Sequence, residues 1–270
     1  MTAPPSREPQ DLRDAARAAM AALPRRRVVF ARWQGRDYVV KRHAAKPRAA
    51  VKLALLRGLC RLLFPGHVLA GTLAPVDGLM EARRIRALAA AGVLVPDIAL
   101  ELPDAMVYGR CGLDLDHVLR PLDQPARRRL MALALADLAR FHGAGHWHGG
   151  TQFRNQIVVE GADGPRFCRI DFEEDLDGLL TLPLLQVYDL LLFLTDVLDF
   201  AGPSAEGRDF ARSLLEQYRT TNGSPVQAQL LARLALLARP VTWLAPLLDR
   251  FGNNDSRRVL ALARLILDRR

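Results

Sequence analysis

The sequence predicts an α+β fold in which a small mixed part is followed by a larger helical part. Three observations carry this. A β-hairpin pattern spans 27–41, apolar residues recur at helical spacing through most of 124–270, and a second short apolar hairpin at 156–170 is set inside the helical half. The expected division is an N-terminal helical extension over 1–26, a small mixed part over 27–108 and a helical part over 109–270.

Residues 11–23 are Ala-rich and of helical character, ended by Pro24. Val28, Val29 and Phe30, a Gln34-Gly35 turn, and Tyr38, Val39 and Val40 then make the first hairpin. Over 48–64, Arg48, Lys52, Arg57 and Arg61 draw a basic stripe along an otherwise apolar helix that Pro65-Gly66 closes. Residues 79–91 form another helix, stopped by Gly92, and 93–102 is extended around Pro96. A strand-like run at 106–111 precedes Gly112, after which the sequence turns mostly helical. Helices follow at 124–141, at the strongly apolar 186–200, and through the Arg-rich 208–270.

At 270 residues the chain can bury one large core or form two lobes. Half of it is hydrophobic and a quarter charged, which argues against a largely disordered chain. No stretch near the start has a signal-peptide core, and no run reaches the ~20 apolar residues that span a bilayer. Cys60, Cys111 and Cys168 are widely spaced without a CxxC pair, so neither a disulfide framework nor a thiolate zinc site is indicated, and a reduced cytoplasm is expected. The net charge of +9 admits an anionic partner without choosing among nucleic acid, acidic lipid and a phosphorylated saccharide. All but three of the 38 basic residues are arginine; the lysines are Lys41, Lys46 and Lys52.

Phosphoryl transfer from a nucleoside triphosphate needs a cation on the α/β-phosphates, an acid that holds this cation in place, and oxygen ligands for Mg²⁺. Lys41 ends a strand. Taken alone it reads first as a solvated edge lysine, but in an arginine-biased chain a retained Lys equally suits a point charge aimed at phosphate. Glu81 opens its helix, a position the helix dipole alone would explain. The histidines at 142, 146 and 148 admit a metal reading, weakened by the Gly-Ala-Gly break after His142.

The segment His146-Trp147-His148-Gly149-Gly150-Thr151-Gln152-Phe153-Arg154-Asn155, a short hairpin, and then Ile170-Asp171-Phe172-Glu173 resembles the catalytic loop and metal-binding motif of the protein-kinase-like superfamily. With Tyr38-Val39-Val40-Lys41-Arg42-His43 and the basic helix before Glu81, the likeness covers the chain from about Arg27 onward. It is closest to the bacterial lipopolysaccharide-core heptose and Kdo kinases. The resemblance implies a two-lobed fold with ATP and Mg²⁺ as cofactors. Lys41 would lie on the phosphates and Glu81 would orient it; Asn155 and Asp171 would bind metal; His148 would be a scaffold beneath the loop, and Asp189 would hold that loop from below. The stretch 172–188 has a single Thr181, no serine and no Ala-Pro-Glu, so the implied acceptor is a saccharide or lipid-linked hydroxyl at the cytoplasmic membrane face, not a protein.

Two departures qualify the resemblance. Gly150 stands where the family has its catalytic-base Asp, and Gln152 where protein kinases have a Lys; upstream of Lys41 there is only Gly35 in place of a glycine-rich phosphate loop. A slow or rewired enzyme and a pseudokinase that binds nucleotide or a partner without turnover are both compatible with this. Glu173, Glu174 and Asp175 could supply a substitute base or an extra metal ligand, or could be a solvated loop. Likeness to kinase-like subunits of tRNA-modification complexes rests on charge alone, and nucleic acid is not the expected partner.

Overall fold

The computed structural model describes residues 11–43, 57–58, 60–71, 78–173, 176, 178–202, 204–243 and 254–267. It is a mixed α+β structure with two small antiparallel sheets, and the chain divides into two compact units. The described residues of the first are 11–43 and 78–112; all the others belong to the second.

The first unit begins with α1 (Leu12–Ala22), whose N-cap Asp11 accepts the Asp14 N–H at 2.8 Å. Strands β1 (Val28–Trp33) and β2 (Arg36–Arg42) follow, joined by a two-residue turn in which Gln34 and Gly35 both have positive φ, 48° and 74°. That mirror-image turn matches the right-handed twist of the strands, which is why Gly is placed there. Next come α2 (Gly78–Ala90), β3 (Ile98–Glu101) and β4 (Ala105–Gly109), giving a sheet of order β1-β2-β4-β3. Side chains alternate across a strand, so Tyr38 and Val40 point to one face and Lys41 to the other. The first face packs with Val29, Ala31, Val107, Ala15, Ala16 and Met20. Helix α1 is therefore part of this unit's core, not an appendage to it. Arg42 adds a second tie by donating to the Met20 carbonyl at 2.6 Å.

The second unit holds the sheet β5-β6-β7, made of β5 (Leu113–Asp114), β6 (Gln156–Gly161) and β7 (Gly164–Arg169). Its helices are α3 (Leu115–Leu119), α4 (Gln124–Gly143), α5 (Leu182–Ala201), α6 (Ala205–Asn222), α7 (Pro225–Trp243) and α8 (Asn254–Leu267). In α5 the residues Gln186, Asp189, Leu190, Phe193 and Val197 recur at helical spacing and are buried. Close approach of α6 to the end of α5 requires Gly207: a Cβ there would stand 2.5 Å from the carbonyl oxygens of Ala201 and Gly202.

The basic stripe expected over 48–64 lies in large part outside the described residues; Arg57 and Arg61 are within a helical stretch. The stretch that follows is tied to the second unit by its backbone: Leu69 N–H donates to the Leu179 carbonyl at 2.7 Å and Thr181 N–H to that of His67 at 3.0 Å. Among the described residues no helix is long and apolar enough to cross a membrane.

Candidate functional site

Strand pairing and helix phase together bury an ion pair in the first unit. Lys41 projects from β2 on the face opposite Val40. Glu81 lies on the α2 face that also carries Ile85 and Leu88, at i, i+4 and i+7, and both of these are buried. Lys41 Nζ is 2.9 Å from Oε1 and 2.9 Å from Oε2 of Glu81, with side chains 12% and 6% exposed. Removing two charges from water costs several kcal/mol, offset here by the short two-oxygen contact. Such a pair fixes the direction of the lysine more than it adds stability.

In the second unit, α4 ends at His142 and Gly143, and Gly145 turns the chain with φ 83° into the loop 146–152. The loop is held from α5. Asp189, 0% exposed, accepts the His148 N–H at 2.5 Å and the Gly149 N–H at 2.7 Å, while the Thr151 hydroxyl donates to the Asp189 carbonyl at 2.5 Å. Gln186 Nε2 donates to the carbonyls of His142 and His146, 2.8 Å each. Phe153 N–H donates to Asp196 at 2.7 Å. One helix thus supplies Gln186, Asp189 and Asp196, three and then seven residues apart, to successive parts of the loop.

His148 is 1% exposed. Its Nδ1 accepts the Gly150 N–H at 3.0 Å, so in the neutral ring the proton is on Nε2. The imidazole lies against the Phe172 ring with centroids 4.4 Å apart. His148 therefore ties the loop to the segment after β7 and does not face solvent.

Asn155 and Asp171 are brought close by hairpin register. Gln156 pairs with Arg169, so the ladder sets Asn155 beside Ile170, and the Ile170 N–H donates to the Asn155 carbonyl at 3.0 Å. Asp171 is the next residue. The Asn155 amide nitrogen donates to the Gly150 carbonyl at 2.9 Å, leaving its oxygen as the end suited to a hard cation. Asp171 has φ 68°, in the left-handed region that non-glycine residues seldom occupy, although Asp tolerates it better than most. Glu173 is buried, unlike the solvated loop considered for it; Glu174 and Asp175 lie outside the described residues.

Among the described residues no group of three His, Cys, Asp or Glu could hold a metal ion. His142, considered as a zinc ligand, is turned into the core: Nδ1 is 2.6 Å from the Tyr218 hydroxyl and Nε2 3.3 Å from Asp189. Burial holds its pKa below the usual value against the pull of Asp189, and burial pushes that of Tyr218 well up. Sequence reasoning missed the buried chain of Tyr218, Gln227 and Gln186 that backs this histidine. Polar residues at apolar helix positions were the available signal.

Gly150 has no positive φ that would require glycine. A Cβ there would meet Asn155 Nδ2 at 3.2 Å, Gln152 Oε1 at 3.5 Å and His148 Nδ1 at 3.6 Å, all of them side-chain atoms. No protein-family model matches the chain. No curated protein matches its sequence.

Proposed function

We propose that the chain is an ATP- and Mg²⁺-dependent phosphotransferase with the two-lobed protein-kinase-like fold, most similar to the lipopolysaccharide-core kinases, acting on a hydroxyl of a saccharide or lipid-linked acceptor. The observation that carries this reading is the buried two-oxygen contact between Lys41 and Glu81, residues 40 positions apart. It aims the ammonium of a strand lysine as contact with α/β-phosphates requires.

The donor set fits Mg²⁺. This ion keeps several waters and takes one or two protein oxygens beside those of the phosphates, so Asn155 and Asp171 suffice without a three-residue cage. When bound it supplies charge neutralisation on the phosphate oxygens. His148 and Asp189 fix the loop, and the left-handed backbone at Asp171 is the kind of outlier that clusters at ligand-holding sites. Leu62, 78% exposed and next to Arg61, supports contact with an anionic membrane, where the acceptor would be met.

A second reading, a pseudokinase that binds nucleotide or a partner without turnover, is favoured by Gly150, which brings no carboxylate to the loop. Melting temperature with ATP, in the presence and absence of Mg²⁺, tests both: a ligand that binds only the folded state raises it. Wild type should shift, and Asp171→Ala should lose the Mg²⁺-dependent part. No shift at saturating ATP overturns the nucleotide site in either form.

A further inference from the structure

The second unit has a half-open cavity of about 550 Å³ away from the loop that Asp189 holds. It lies between the last turns of α5, the start of α6 and one face of α8. Its charge is one-sided: Arg208, Arg257, Arg258 and Arg264 line it, with Asp199 as the single carboxylate. Asp199 forms an ion pair with Arg258. Asp196, one turn earlier on α5, also acts on Arg258, but its carboxylate holds the Phe153 N–H, and burial, the largest influence on it, raises its pKa.

Helix phase builds this arrangement. Arg257, Ala261 and Arg264 fall at i, i+4 and i+7 on one face of α8, and all three line the cavity. Arg208 comes from the first turns of α6, brought against the end of α5 by the contact that Gly207 permits. Leu198 and Leu260 add an apolar wall. The volume is that of a small-molecule site, and several convergent cations around one carboxylate repel one another until an anion enters. Guanidinium forks match phosphate oxygens, and charge-assisted bonds to them are the strong ones.

We propose that this cavity is a binding site for a compact polyanion carrying at least two phosphate groups, independent of the nucleotide site proposed above. The same chemistry is offered by a soluble diphosphate ester and by a phosphorylated lipid headgroup.

The test is calorimetric titration of the whole chain with inorganic pyrophosphate, in a chelating buffer that keeps Mg²⁺ from contributing. Wild type is compared with Arg257→Gln/Arg264→Gln and with Arg233→Gln/Arg239→Gln, a pair of exposed arginines on α7 that removes the same charge outside the cavity. The cavity variant should bind about a hundredfold more weakly, on the order of tenfold per guanidinium, while the α7 variant binds as wild type does. Unchanged circular dichroism shows that the variants fold. Co-sedimentation with phosphatidic-acid vesicles separates the sources: sedimentation lost only in the cavity variant identifies a lipid headgroup, and pyrophosphate binding without sedimentation identifies a soluble ligand. No saturable pyrophosphate binding by wild type, or equal weakening in both variants, overturns the proposal.

Discussion

The Asp189 carboxylate accepts the His148 backbone N–H at 2.5 Å, joining the middle of α5 to a loop 41 residues earlier. With the Gly149 N–H also on it, the carboxylate makes two charge-assisted bonds in a site without water access. Asp189→Ala leaves both donors unsatisfied and is expected to cost about 3–5 kcal/mol of folding stability. Asp189→Asn preserves shape but turns an NH₂ toward one of the donors, and should cost about 2 kcal/mol. Urea denaturation measures both; a loss below about 1 kcal/mol for Asp189→Ala would mean that the loop is held by something else.

Lys41 and Glu81 allow a separation of folding from function. Lys41→Met strands a buried carboxylate and is expected to destabilise by about 3 kcal/mol, whereas Lys41→Met/Glu81→Leu replaces both charges with apolar groups and should fall within about 1 kcal/mol of wild type. Both variants should lose the ATP-dependent rise in melting temperature. A stable double variant that keeps this rise would remove Lys41 from the proposed nucleotide site.

His142 gives a pH signature. Asp189 of α5, Tyr218 of α6 and, through its charge, Arg169 of β7 face it. Burial lowers its pKa in the folded chain, while in the unfolded chain it titrates near 6.5. Between these two values the unfolded state binds more protons, so His142 contributes no pH dependence above about 6.5 and subtracts stability as pH falls below it. An imidazole proton resonance that stays in its neutral position as pH passes downward through about 6.5 is the expected observation. A resonance that moves with a midpoint at or above the usual value would show a charged His142–Asp189 pair instead.

Local chemistry made some of this legible in advance. The Gln34-Gly35 turn, the alternation that separates Val40 from Lys41, the first-turn position of Glu81 and the Gly161/Gly164 hairpin between Asn155 and Asp171 are all set by neighbours in sequence. What was not legible depends on long-range packing. Residues 11–23 read as a helix, but only the docking of Ala15, Ala16 and Met20 on Val29 and Ala31 makes it part of a core. Residues 57–71 read as belonging to the small part, yet the backbone bonds of His67 and Leu69 go to Thr181 and Leu179 of the second unit. The arginine cavity draws on α5, α6 and α8, and no spacing in the sequence joins Arg208 to Arg264.

For the proposed phosphotransferase, Gly150 is the residue that separates turnover from binding alone. Its φ is not positive, and the three atoms nearest an added Cβ belong to side chains, the tightest being Asn155 Nδ2 at 3.2 Å. Gly150→Asp should therefore fold, with Asn155 yielding by a few tenths of an ångström, and should place a carboxylate on the loop that Asp189 and His148 already hold. General-base assistance is worth about 10²–10⁴-fold, and phosphoryl transfer depends mostly on positioning and charge, so a slow enzyme gains and does not start from nothing. ATP turnover against saccharide acceptors, measured beside ATP-dependent thermal shift for both forms, reads out the outcome. Higher turnover in Gly150→Asp with an unchanged thermal shift supports a phosphotransferase that works without its base. Equal thermal shifts with no turnover in either form assign the chain to the nucleotide-binding pseudokinases, because the base would then not have been the missing element.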